Sequence, residues 1–186
     1  MKDTSNDCQF PENCMDEIIP GLWLGDYKSA FDKKLLEDKK INYIIRVMPD
    51  FDETERFSDI KYIQIPIKDK NVCIKNLNLL FELINFFIKY LLENKKNVLI
   101  HCKRGHHRSA VIVASFLIKF LNIEYINSIA YINSIRPCAL RRDTCMVRGL
   151  FKYYLFLNNI KCKNIKCSTR LQYSFCKCDD IIPKFL

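Results

Sequence analysis

Apolar residues along this chain recur at two spacings. Residues 41–47, 60–65 and 97–100 are short runs rich in Ile, Val, Leu and Tyr, which predict strands. Pro49 closes the first run, and residues 60–65 alternate apolar with polar. Elsewhere apolar positions return about every three to four residues, the period of a helix with one covered face. That period predicts a helix opened by Asp26 as N-cap and running to about Lys39, with Ala30, Phe31, Leu35 and Leu36 on one side. It predicts a second over 75–94, with Leu79, Leu80, Leu83, Phe87 and Leu91 covered, ending in the turn Glu93-Asn94-Lys95-Lys96. Three more follow: 109–121, apolar nearly all round as a central helix is; 125–135, stopped by Arg136-Pro137; and 143–157. Residues 18–25 read as a turn at Pro20-Gly21 between short apolar segments, and 51–58 as an acidic surface loop. Strands and helices alternate early and helices dominate late. The expectation is an α/β fold, a small central mixed β-sheet flanked by helices.

One junction in this pattern carries chemistry. The strand-like run 97–100 leads into His101-Cys102-Lys103-Arg104-Gly105-His106-His107-Arg108-Ser109, and a helix leads out. A strand turning about a glycine into a helix start makes an anion cradle, where loop amides and the positive end of the helix dipole converge. Cysteine attacks as a thiolate, and its pKa falls at a helix N-terminus and beside cations. The Arg108 fork can hold two oxygens of a phosphoryl group, and the Ser109 hydroxyl can ease departure of the sulfur from a phosphocysteine. A lone cysteine is usually a small buried hydrophobe and a lone arginine a solvated charge. The ordered set of His, Cys, Gly, Arg and Ser between a strand and a helix is what separates this loop from that background.

The loop resembles the Cys-x5-Arg-Ser/Thr signature of cysteine-based protein tyrosine phosphatases, and residues 18–25 resemble the opening strand of their dual-specificity subgroup. The resemblance implies a protein tyrosine phosphatase-like fold in which Cys102, Arg108, Ser109 and a general acid are catalytic. It also implies that Lys103, Arg104, Gly105, His106, His107 and Arg108 bind substrate, while His101 is a structural hydrogen-bonding residue. A leaving oxygen needs a proton, which a carboxylic acid can supply. In the family the acid lies on a loop after a strand, some thirty residues before the cysteine, and Asp69 fits both conditions. Asp50, Asp52 and Asp59 fit less well. The chain departs from the family where a Pro-Asn pair often opens the last helix; here the stretch is Leu140-Arg141-Arg142-Asp143.

The same resemblance implies phosphorylated proteins, bearing phosphotyrosine and phosphoserine or phosphothreonine, as partners. No metal or cofactor is required. The chain's three histidines all sit in the loop with Lys103, Arg104 and Arg108, which makes it strongly cationic. His106 and His107 read either as loop scaffolding or as added charge below their pKa. Cys-Lys-Arg-Gly-His-His-Arg also resembles loops of inositol pyrophosphate and phosphoinositide phosphatases, so inositol phosphates are the alternative substrates. Ser109-Ala110 in place of Thr-Gly favours the protein phosphatase. A non-catalytic phospho-binding module is a further alternative, weakened by retention of Cys102, Arg108 and Asp69.

Composition adjusts this picture. With 186 residues, 49% hydrophobic and 27% charged, the chain suits one domain with a sizeable core. A formal net charge of +9 suits anionic partners, or only a lysine-rich surface; nucleic acid is not expected. The bias to Lys, Asn, Ile, Phe and Tyr is that of an AT-rich genome, as in some large DNA viruses and protozoa. Ten cysteines invite a disulfide reading, but residues 1–6 are polar with no apolar run behind them, so no secretory leader is expected. A catalytic thiolate also needs reducing surroundings, so the expectation is an intracellular protein, in host cytoplasm or virion if viral, with mostly free thiols. Cys73, shortly after Asp69, is a candidate redox partner for Cys102. The longest apolar runs, 77–92 and 110–121, are short or carry Glu82, Lys89 and Lys119, so no membrane span is expected.

The expected organisation is an N-terminal arm over 1–16, a catalytic domain over 17–157 and a basic, Cys-containing extension over 158–186. Cys162, Cys167, Cys176 and Cys178 have four, eight and one residues between them, which is not the paired spacing of a zinc knuckle. A homodimer is a further expectation from the resemblance, since some viral relatives dimerise through the N-terminal region.

Overall fold

The computed structural model describes residues 13–49, 56–68, 74–137, 139–141, 144–160, 179–180 and 184–185. Asp69, Cys73, Arg142, Asp143 and the four cysteines of the extension lie outside the described residues. So do Asp50 and Asp52.

The elements in chain order are β1 (Met15–Ile19), β2 (Leu22–Gly25), α1 (Lys33–Asp38), β3 (Ile41–Val47), β4 (Lys61–Ile65), β5 (Ile74–Lys75) and α2 (Leu77–Glu93). Then follow β6 (Asn97–His101), α3 (Arg108–Phe120), α4 (Tyr125–Ile135), α5 (Cys145–Leu157), β7 (Asp179–Asp180) and β8 (Lys184–Phe185). The main sheet runs β1-β2-β6-β3-β4-β8 and is mixed. The strands β2, β6, β3 and β4 are parallel, while β1 and β8 run antiparallel to their neighbours at the two edges. The short β5 and β7 pair separately. All four parallel strands therefore end on one edge, where open α/β sheets place their ligand sites.

β6 lies inside the sheet, and Val98, Leu99 and Ile100 are fully buried. A strand covered on both faces needs such a continuous apolar run. Helices α2 to α5 cover one face of the sheet, with α3 at the centre: from Arg108 to Ile118 all its side chains are buried. On the other face Met15, Trp23, Leu36, Ile44, Tyr62 and Leu99 form a smaller core under α1. β4 is likewise covered on both sides, since Tyr62, Ile63, Gln64 and Ile65 are all buried. Its alternation in sequence marks no solvent face.

Three expectations about elements are corrected. The first helix spans only Lys33–Asp38 and is capped by Asp32, whose carboxylate accepts from the Leu35 N–H at 3.0 Å. Residues 26–31 form turns instead. The Asp26 carboxylate accepts from the Ser29 N–H at 3.0 Å, and the Ser29 hydroxyl donates to the Asp26 carbonyl at 2.7 Å. That hydroxyl competes for the carbonyl which a helix would offer to the Ala30 N–H. Second, α2 covers a different face. Leu77, Leu80, Phe81, Ile84, Ile88 and Leu91 are buried, whereas Leu79 and Leu83 are more than half exposed. The helix carries two apolar stripes, and periodicity alone does not say which one meets the sheet. Third, α5 starts at Cys145 behind Thr144, whose hydroxyl oxygen accepts from the Val147 N–H at 3.3 Å.

β1 begins at Met15, inside the stretch expected to be an arm, and Met15 is buried. The Tyr131 hydroxyl on α4 donates to the Ile18 carbonyl at 2.7 Å and ties β1 down. Among the described residues no helix is long and apolar enough to cross a membrane, and no group of three or more His, Cys, Asp or Glu could hold a metal ion.

Candidate active site

The loop over 102–107 leaves β6 at the shared strand edge and enters α3 directly. In register, His101 lies between Gly25 of β2 and Arg46 of β3. Cys102 follows at the base of the loop, 2% exposed. Ser109 is fully buried, and its hydroxyl donates to the Cys102 Sγ at 3.2 Å. Burial alone would push the Cys102 thiol up. The hydroxyl and N–H of Ser109, the charge of Arg108 and the N–H of Arg104 together outweigh it and hold the thiol below its ordinary pKa.

The peptide groups of the loop are aimed by contacts on its outer side. The Lys103 carbonyl accepts from the Tyr27 N–H at 3.4 Å, and the His106 carbonyl from the Leu140 N–H at 2.8 Å. Between them, Arg136 donates through Nη2 to the Arg104 carbonyl at 3.5 Å and through Nε to the Gly105 carbonyl at 3.2 Å. A trans peptide puts the C=O of one residue and the N–H of the next on opposite edges. The N–H groups of Arg104, Gly105, His106 and His107 therefore turn the other way. The Arg104 N–H lies on the Cys102 sulfur, which shows that this other way is inward. His107 is the N-cap of α3 and its side chain makes no capping bond. Loop amides and helix start thus face one concave site above the sulfur, suited to a tetrahedral oxyanion.

Arg108, 6% exposed, opens α3 and donates through Nη1 to the Ile67 carbonyl at 3.2 Å. That contact joins the signature loop to the segment after β4, which carries Asp69 two residues beyond Ile67 in the chain. Gly105 has φ +67° and packs against Gly25: a Cβ there would lie 2.5 Å from the Gly25 carbonyl oxygen. Lys103 and Arg104 are exposed on the rim, as is Arg141 beyond α4.

The two buried histidines are held neutral. Burial, then the charge of Arg46, pushes the His101 pKa down to about 3. Burial, then the charges of Arg136, His107 and Arg104, lowers that of His106 to about 4. Of the two readings of His106, scaffolding fits and added charge does not. The rings of His106 and His107 meet edge to face with centroids 6.4 Å apart.

The model of the dual specificity phosphatase catalytic domain matches residues 22–154. The chain belongs to that family. The mouse serine/threonine/tyrosine-interacting protein is 30% identical over 144 residues, which cover 74% of this chain and 64% of that one. The human dual specificity protein phosphatase 6 is 34% identical over 108 residues, 58% of this chain and 28% of that one. The chain thus spans less than two thirds of the length of these curated relatives. The crystal structure of the human tyrosine phosphatase-like serine/threonine/tyrosine-interacting protein superposes with a TM-score of 0.67 at 28% identity, covering 76% of this chain and 96% of that one. That of human DUSP28 superposes with a TM-score of 0.71 at 18% identity, covering 78% and 96%.

Within the family frame, the loop from Cys102 to Ser109 brings together every signature residue named from the sequence. Sequence reasoning missed Arg136, Asp16, Arg46 and Gly25. Arg136 was legible only as the residue before a helix-stopping proline. Arg46 gave no signal inside its strand.

Proposed function

We propose that this chain is a dual-specificity protein phosphatase that hydrolyses phosphotyrosine and phosphoserine or phosphothreonine through a phosphocysteine. The observation that carries the reading is the buried Cys102 sulfur, its pKa lowered by Ser109, Arg108 and the Arg104 N–H, at the base of an amide-lined loop.

In the first step the Cys102 thiolate attacks phosphorus. The S–P bond forms while the ester P–O bond breaks, and Asp69 gives its proton to the leaving oxygen. Arg108 and the inward N–H groups carry the charge of the equatorial oxygens. In the second step Asp69 takes a proton from water, whose oxygen attacks phosphorus. The S–P bond breaks, Ser109 stabilises the returning thiolate, and inorganic phosphate leaves. A thiolate of this kind survives in reducing surroundings, which supports an intracellular site of action.

A phospho-binding role is the second reading, because relatives at this level of identity are named as interacting proteins. Wild type and Cys102→Ser should be compared on phosphotyrosine and phosphothreonine peptides, phosphoinositides and an inositol pyrophosphate. Cys102-dependent phosphate release from both peptide classes supports the proposal. Preference for the inositol compounds would move the substrate class, and binding without turnover by wild type would favour the second reading.

A further inference from the structure

Arg136 is fully buried, and a buried guanidinium is tolerated only when its hydrogens are matched. Its five N–H groups meet five acceptors. Nη1 donates to the Asn13 carbonyl at 3.2 Å and to Asp16 Oδ2 at 2.6 Å, and Nη2 to the Cys14 carbonyl at 3.5 Å. The other Nη2 hydrogen and Nε take the Arg104 and Gly105 carbonyls of the signature loop. Three acceptors belong to the N-terminal segment and two to the loop, so a single planar group bridges them. Asp16, with its side chain 10% exposed, supplies the balancing charge.

We infer that Arg136 is a positioning residue for the phosphate-binding loop, and that Asp16 and the segment before β1 hold it in place. The inference rests on the phosphatase reading above and concerns the same site. By fixing the Arg104 and Gly105 carbonyls outward, Arg136 turns the Gly105 and His106 N–H groups inward, where an equatorial phosphoryl oxygen would need them. Packing gives the same direction. A Cβ on Gly105 would come within 2.9 Å of Arg136 Nη2, so loop and guanidinium are in close contact. Lysine cannot replace this group, since one ammonium with three donors cannot span both sets of carbonyls. Asn13, Cys14 and Asp16, at the end of the stretch expected to form an arm, thereby become part of the catalytic framework.

The test uses the full chain carrying Arg136→Lys, Arg136→Met or Asp16→Asn. Alkylation of Cys102 by iodoacetamide is followed by peptide mass spectrometry across pH, with and without inorganic phosphate, alongside kcat, KM and thermal melting. For folded Arg136→Lys we expect phosphate protection weakened by at least about tenfold and kcat/KM lowered by about a hundredfold, mostly in kcat. Asp16→Asn should move both in the same direction. A folded Arg136→Lys with the alkylation profile and phosphate protection of wild type would overturn the inference. If both Arg136 variants fail to fold, wild-type protection in Asp16→Asn overturns it equally. The protection assay needs no turnover. A wild type that binds phosphate at Cys102 without hydrolysing any substrate, and loses that binding in the variants, would sink the phosphatase reading and leave the inference standing.

Discussion

The Ser109 hydroxyl donates to the Cys102 sulfur across 3.2 Å, with both residues buried at the base of the loop. A hydrogen bond to sulfur favours the thiolate over the thiol, because the charged form is the stronger acceptor. Ser109→Ala should therefore raise the thiol pKa and shift the pH dependence of Cys102 alkylation to higher pH. The same bond supports the sulfur as it leaves phosphorus, so the variant should accumulate phosphocysteine. Rapid-quench kinetics should then show a burst of leaving group followed by a slower steady state. A variant without a burst and with an unshifted alkylation profile would remove Ser109 from the mechanism.

His101 gives a pH dependence of stability whose sign follows from its burial. Its folded pKa of about 3 lies below the ordinary 6.5, so between these values the unfolded chain binds more protons than the folded one. Stability contributed by the neutral ring is present above 6.5 and is lost as pH falls toward 3, by up to about 1.4 kcal/mol per pH unit. His101→Asn removes this titration. Its melting temperature should fall less steeply than that of wild type between pH 6.5 and 4, even if it is lower at pH 7. Parallel slopes would contradict the assignment of His101 as a buried neutral group.

The signature loop was legible because its chemistry is contiguous: nucleophile, arginine and serine all fall within residues 102–109. Strand order and the clamp on the loop were not, because they depend on residues distant in the chain. Arg136 reaches Gly105 across 31 positions and Asp16 across 120. No local pattern encodes such pairs. The same limit explains His106. Its loop suggested both a scaffold and a cation, and burial in the fold, with the Arg136 charge brought beside it, decides for the neutral scaffold. In α2 the cause was an excess of apolar residues, since Leu79 and Leu83 read as core until the sheet selected the stripe beginning at Leu77 and Leu80.

Gly105 should tolerate no side chain. Its φ of +67° is strained for any residue with a Cβ, and that Cβ would meet backbone, the Gly25 carbonyl oxygen, at 2.5 Å. Relief requires the loop to lift away from β2, and the inward N–H groups move with it. Gly105→Ala should lose kcat/KM by about a hundredfold or more. The strain of about 1–3 kcal/mol should also lower the melting temperature by several degrees. Turnover close to wild type would mean that the loop can shift without cost to its amides.

Asp69 can be separated from the nucleophile by the choice of leaving group. The Arg108–Ile67 contact brings the base of its segment to the signature loop, and Asp69 follows two residues later. An alkyl phosphate, as in phosphothreonine, leaves as a strongly basic alkoxide and needs a proton in the transition state; an activated aryl phosphate does not. Asp69→Ala should therefore cost phosphothreonine peptides about 10²–10⁴-fold in kcat/KM and an activated aryl phosphate far less. On the acid-dependent substrates the alkaline limb of the pH–rate profile should disappear with the carboxyl group. Equal losses on both substrates would assign the proton to a different donor.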